Sequence, residues 1–153
     1  VASMLICEMA SFYKAQGKTL VVVVVALYRE HGMLLCTQRS YTCEGEAGMQ
    51  RMNVLMASLR ALPPAKLGGK EVIAVLDYGQ SVETNLETGE ETPILLPRSE
   101  VLQYRLEDGG NVIVRPSGTE PKIKAYITAV GTDRATAQDM ADWLLADMDV
   151  FLS

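Results

Sequence analysis

The sequence predicts an α+β fold: a small, mostly antiparallel sheet packed with helices. Three features predict it. Apolar and polar residues alternate through "VLQYRL" (101–106), "VIV" (112–114) and 122–128, the period-two pattern of half-buried strands. "EDGGN" (107–111) joins the first two as a hairpin turn, which makes those neighbours antiparallel. The closing segment places Ala137, Met140, Ala141, Leu144, Leu145, Met148 and Phe151 at helical spacing, the cover that a one-sided sheet needs.

The elements follow in order. From Ala2 to Gln16, Leu5, Met9 and Phe12 recur at helical spacing beside Ile6 and Tyr13, and Gly17 is a stop. "TLVVVVVALY" (19–28) reads locally as a buried strand, because valine is stiff at χ1 and favours sheets. Periodicity alone does not separate such a run from a buried helix. Met33 to Thr42 carries enough Leu, Tyr, Thr and Cys for a strand, and "EGEAG" (44–48) turns into a helix. Met49, Met52, Met56 and Leu59, with Leu55 and Leu62, form one face of that helix, which Pro63–Pro64 ends. A methionine-lined face of this kind reads as core. "KEVIAVLDY" (70–78) is a strand. Residues 79–98 are polar and acidic, a long surface loop with a small hairpin at "ETGE". Strands at 111–115 and 122–129 precede the last helix, which Gly131 and Thr132 introduce.

With 153 residues, 48% of them hydrophobic, the chain holds one medium domain, or a small domain plus part of another. A net charge of −5 argues against nucleic-acid binding, which calls for a basic field. Cys7, Cys36 and Cys43 are odd in number and no pair has CxxC spacing, so they read as free thiols in a reducing compartment and not as a disulfide frame or zinc site. His31, the single histidine, sits where a helix C-terminus favours a cation. There is no basic leader and no apolar run of membrane-spanning length, so a cytoplasmic location without membrane contact is expected.

The richest stretch is "VRPSGTEPKIKAY" (114–126), between two adjacent predicted strands. Gly118 is free to adopt φ > 0, and the successive amides at 117–119 would then face one concavity, an anion nest. Ser117 and Thr119 add hydroxyl donors. Arg115 supplies a planar fork, and Lys124 reaches the same place if its strand runs back beside that of Arg115. Pro116 and Pro121 stiffen both ends. The loop lacks GxxxxGK[ST] and precedes a strand, so it is no Walker loop. Glu120 either points outward or pairs with a neighbouring base. On composition alone, a Pro/Gly-rich connection with ordinary surface charges explains the stretch as well as a phosphate cradle does.

"RPSGTEPKIKAY" resembles the C-terminal phosphate-binding loop of the α-D-phosphohexomutase family, which includes phosphoglucomutase and phosphomannomutase. The likeness continues through "ICEMASFYKAQGKTL", "ALYREHG", "EGEAGMQRM", "LPRSEVLQYRLEDGG" and the closing helix, nearly the whole chain, and is similar to the tail of bacterial members of the phosphoglucomutase type. It implies a TATA-binding-protein-like C-terminal domain over 65–153. A linking strand and helix over 33–64 would lead into it, and residues 1–32 would be helices ending the preceding α/β domain. It also implies helix over 19–31, against local propensity. By position, Arg115, Ser117, Gly118, Thr119 and Lys124 would bind the non-transferred phosphate of a sugar phosphate (glucose 1- or 6-phosphate class). The reaction implied is a reversible 1,6 phosphoryl transfer by an intramolecular phosphotransferase, with a phosphoserine donor and Mg²⁺ in the full-length enzyme.

The departures shape the expectation. The family's phosphoserine loop, DxDxD magnesium motif and GExSG-like sugar loop are absent from these residues, and "GEAG" at 45–48 only echoes the last. The chain is therefore expected to be a C-terminal piece with no catalytic residue and no metal of its own, inactive alone and partnered by the remaining mutase domains. Two other classes compete: a free-standing, non-catalytic module that binds phosphorylated ligands, and an interaction domain with no small-molecule site. A longer parent chain carrying the serine loop and DxDxD would decide for the mutase; a reading frame opening near Val1 would favour the others.

Overall fold

The computed structural model describes residues 1–152. Two helices come first, α1 (Ala2–Ala15) and α2 (Leu20–His31), followed by β1 (Met33–Thr42) and α3 (Gly45–Ala61). Strands β2 (Lys66–Leu67), β3 (Lys70–Asp77), β4 (Val82–Asn85), β5 (Glu91–Pro93), β6 (Leu102–Leu106), β7 (Asn111–Pro116) and β8 (Lys122–Gly131) lead to α4 (Arg134–Leu152). The strands run in the order β1-β8-β7-β6-β3-β4-β5, with β2 paired to β3 off this path. Every pairing is antiparallel, as an α+β fold built on hairpins requires.

One face of the sheet is dry. Val112, Val114, Ile123, Ala125, Ile127 and Ala129 point into it and are fully buried. Against them α4 packs Ala137, Met140, Ala141, Leu144, Leu145 and Met148, as its period predicts. Phe151 is the exception: it is 37% exposed, and Leu152 takes the core position instead. From α3 the core receives Met52, Met56 and Leu59. Met49 and Leu62 do not join them and lie open to solvent, because the helix touches the sheet along only a narrow stripe.

The end of α3 is tied down by a specific bond. Pro63 has no N–H to offer the carbonyl four residues back, that of Leu59. The hydroxyl of the fully buried Tyr104 donates to it instead, at 3.1 Å. Burial pushes the Tyr104 phenol well above its ordinary value.

The valine run is helical. Thr19 caps α2, its Oγ1 accepting from the Val22 amide at 3.3 Å. Neither α1 nor α2 buries a residue, so Leu5, Ile6, Met9, Phe12 and most of the valines present open apolar surface. Among the described residues, no single helix is long and apolar enough to cross a membrane. Within 79–98 the small hairpin expected at "ETGE" is present: β4 and β5 extend the sheet to its far edge around a turn in which Asn85 Oδ1 accepts from the Glu87 and Thr88 amides.

Candidate functional site

Alternation along β7 and β8 sets the site. Val114, Ile123, Ala125 and Ile127 face the core, so Arg115, Lys122, Lys124 and Tyr126 project from the opposite, uncovered face. The register places Arg115 directly opposite Lys124 and Pro116 opposite Ile123. The expectation that the Lys124 strand returns beside Arg115 is thus met in the backbone.

The loop 117–121 is closed by the Ser117 amide donating to the Lys122 carbonyl at 2.8 Å, and by the Lys122 amide donating to the Glu120 carbonyl at 2.8 Å. Its exit is anchored from outside, the Cys43 amide donating to the Pro121 carbonyl at 2.7 Å. Glu120 pairs with Lys122 at 3.0 Å, and that ammonium holds its carboxyl below the ordinary carboxylate range.

Gly118 does not do what composition suggests. Its φ is outside the left-handed region, so no nest is preformed around it. The five-residue connection 117–121, with Pro116 before it and Pro121 at its end, closes through its own amide–carbonyl bonds without a φ > 0 residue. A Cβ added at Gly118 would meet nothing within 4 Å. Neither backbone nor packing within this chain calls for glycine there; a bare, exposed amide at the loop tip is what the residue provides.

Arg115 and Lys124 form an unusual pair. Among the described residues neither forms an ion pair with a carboxylate, although the Lys124 charge helps hold the Glu120 carboxyl below its ordinary value, and the Ser117 and Thr119 hydroxyls make no hydrogen bond. Arg39, Arg60 and Arg105, by contrast, all sit on carboxylates. The Arg115 guanidinium carbon lies 5.8 Å from the centroid of the Tyr126 ring, and Arg115 holds the phenol below its ordinary value by hydrogen bonding first and by charge second. Two cations directly opposite on neighbouring strands repel. The arrangement can therefore hold an anion.

A second polar centre was not foreseen. Arg60 on α3 donates through Nε to Asp77 Oδ2 at 2.6 Å and through Nη2 to Glu100 at 2.9 Å. Asp77 Oδ1 accepts the Gly79 and Gln80 amides at 2.9 and 3.1 Å. Arg60 and Asp77 border a cavity of about 410 Å³ between α3 and the sheet. Every oxygen of Asp77 is satisfied, so the trio acts as a clamp on α3. Its partners lie 17 and 40 residues from Arg60, a separation at which sequence carries no pairing signal. Among the described residues no three His, Cys, Asp or Glu side chains converge as a metal site.

Fold and site together define an α+β sheet domain with a cationic, proline-bracketed turn at one end of its open face. The family model described as "Phosphoglucomutase/phosphomannomutase, C-terminal domain" matches residues 64–144, and the chain belongs to that family. A phosphoglucomutase of Staphylococcus haemolyticus is 34% identical over 146 residues, covering 95% of this chain and 26% of its own length. One from Staphylococcus aureus (strain USA300) is 38% identical over 124 residues, 81% of this chain and 22% of its own. The chain thus spans about a quarter of the curated relatives it matches. The fold is similar to part of the open form of the Paramecium phosphoglucomutase pp63/parafusin, with a TM-score of 0.51 at 16% identity, over 92% of this chain and 24% of that one.

Proposed function

We propose that this chain is the phosphate-gripping C-terminal domain of a phosphoglucomutase-type enzyme. In this reading the 115–124 segment holds the non-transferred phosphate of a glucose 1- or 6-phosphate-class sugar during reversible 1,6 phosphoryl transfer. The carrying observation is the opposed Arg115–Lys124 pair, neither member of which forms an ion pair with a carboxylate among the described residues. Like charges at directly paired positions cost stability unless something negative joins them, and a phosphate dianion does so with charge-assisted hydrogen bonds. The bare amide of Gly118 and the hydroxyls of Ser117 and Thr119 supply further donors at the adjoining turn. Membership of the family and the names of its relatives support the sugar phosphate as tenant.

The reading assigns the donor phosphoserine and Mg²⁺ to parts of the enzyme other than these residues. The chain alone is then inactive, its partners are the remaining mutase domains, and its location is cytoplasmic.

The test is a titration of the 153-residue chain with inorganic phosphate, glucose 6-phosphate and glucose 1,6-bisphosphate, followed by amide shifts. Amides at 115–124 move. Arg115→Ala weakens binding about tenfold or more, the cost of a charge-assisted bond. Lys124→Gln also weakens it, yet leaves the ligand-free protein equally stable or more stable by up to about 1 kcal/mol at low salt, because the repulsion is relieved. Lys70→Ala changes nothing. If amides elsewhere move while 115–124 stay fixed, the assignment is wrong.

A further inference from the structure

We infer that Tyr126 is a positioning residue for Arg115, its ring serving as the platform on which the guanidinium rests beside Lys124. The inference rests on the reading of Arg115 as a phosphate ligand. Its basis is geometric. Arg115 pairs with Lys124, and Tyr126 lies two residues further along β8 on the same open face, the diagonal neighbour of Arg115. Long side chains reach across that diagonal, and the Arg115 guanidinium carbon is 5.8 Å from the ring centroid.

Two physical consequences follow. A free arginine side chain has roughly 2 kcal/mol of rotamer entropy to lose when it binds an anion. Resting on the ring, Arg115 has given up part of that freedom before the ligand arrives, so less is lost on binding. The ring's negative face also lies against one of two adjacent cations and moderates their repulsion. Lys124 has a flexible stem and no ring partner among the described residues, so the fork's placement depends on Tyr126 more than the ammonium's does. The strand is no reason for a tyrosine at this position: its ring lies on the uncovered face and contributes nothing to the core.

The inference assigns the positioning to the ring, and Tyr126→Phe separates it from the hydroxyl, which itself hydrogen-bonds with Arg115. In the intact chain, Tyr126→Phe binds inorganic phosphate within about twofold of the parent, whereas Tyr126→Leu binds it about two- to fivefold more weakly, the range of a solvent-exposed cation–π contact. The Arg115 Nε–H resonance supplies a readout that a general loss of stability does not imitate. Ring current shifts it upfield in the parent and in Tyr126→Phe, and it returns to the ordinary arginine position in Tyr126→Leu. Thermal melts confirm that both variants fold. Equal phosphate affinity in all three proteins, or an Nε–H position that ignores the loss of the ring, overturns the inference. If no form binds phosphate at all, the phosphate reading of Arg115 fails, while the Nε–H shift still reports whether the stack exists.

Discussion

The backbone amide of Cys43 donates to the carbonyl of Pro121 at 2.7 Å, joining the β1–α3 turn to the exit of the loop that holds Ser117, Gly118 and Thr119. The two residues are far apart in sequence, and this bond sets the height at which the loop leaves the sheet. The turn in turn depends on Gly48, where an added Cβ would fall 2.2 Å from the Cys43 carbonyl carbon and oxygen. Backbone cannot yield as a side-chain tip can. Gly48→Ala therefore destabilises the chain by about 1–3 kcal/mol, the usual range for overpacking. Urea unfolding measures this, and the Lys122 amide shifts as the Pro121 anchor moves. Gly118→Ala is the counterpart: with open space around the new methyl it stays within about 0.5 kcal/mol of the parent. A phosphate titration of Gly118→Ala then reports on the ligand alone.

Tyr104 and Leu59 give a second prediction. The Leu59 carbonyl has no amide partner from Pro63 and relies on the Tyr104 hydroxyl. Tyr104→Phe keeps the fully buried ring and removes the donor, leaving a carbonyl without its bond in the interior. The expected loss is about 1–2 kcal/mol with an unchanged urea m-value. A stability equal to the parent's would mean that water reaches the carbonyl.

Asp149 gives the pH dependence. It accepts hydrogen bonds from Arg39 and, at 2.8 Å, from Tyr41. Arg39 first, then Tyr41, hold its carboxyl below the ordinary value of 3.8. A depressed carboxyl binds fewer protons in the folded state, so its stabilisation is present above about pH 4 and is lost as pH falls through the folded value. Both partners are over 40% exposed, so the contribution stays below about 1 kcal/mol. Asp149→Asn should flatten the acid limb of the stability–pH curve by that amount. At the alkaline end the sign reverses for Tyr41, raised above its ordinary value by burial first and by Asp149 second. Its support is complete below about pH 10 and is lost as pH rises beyond. Removing Asp149 should shift that alkaline loss as well.

Local periodicity carried most of the fold. Strands at 33–42, 70–77, 102–106, 111–116 and 122–131, and the helix over 134–152, stand where alternation, turn residues and helical spacing place them. These are short-range signals, since each residue's face follows from its neighbours' positions along the same element. The valine run shows where that reasoning ends. Residue preference favours a strand, and the family likeness gives the helix that is present, capped by Thr19. Met49, Leu62 and Phe151 had the right period for the core and miss it, because the width of a helix's buried stripe depends on what lies against it.

For the site, sequence alone determined the residue types of a cationic turn: Arg115, Ser117, Gly118, Thr119 and Lys124 between two prolines. Only the tertiary structure decided their relations. The antiparallel register set Arg115 opposite Lys124, the open face brought Tyr126 under the guanidinium, and the Cys43 amide reached across to Pro121. It also removed the expected left-handed Gly118. The physical reason is the same in each case. A side chain's identity is written locally, whereas its electrostatic and hydrogen-bond partners come from strands and turns distant along the chain, and those meet only when the core closes.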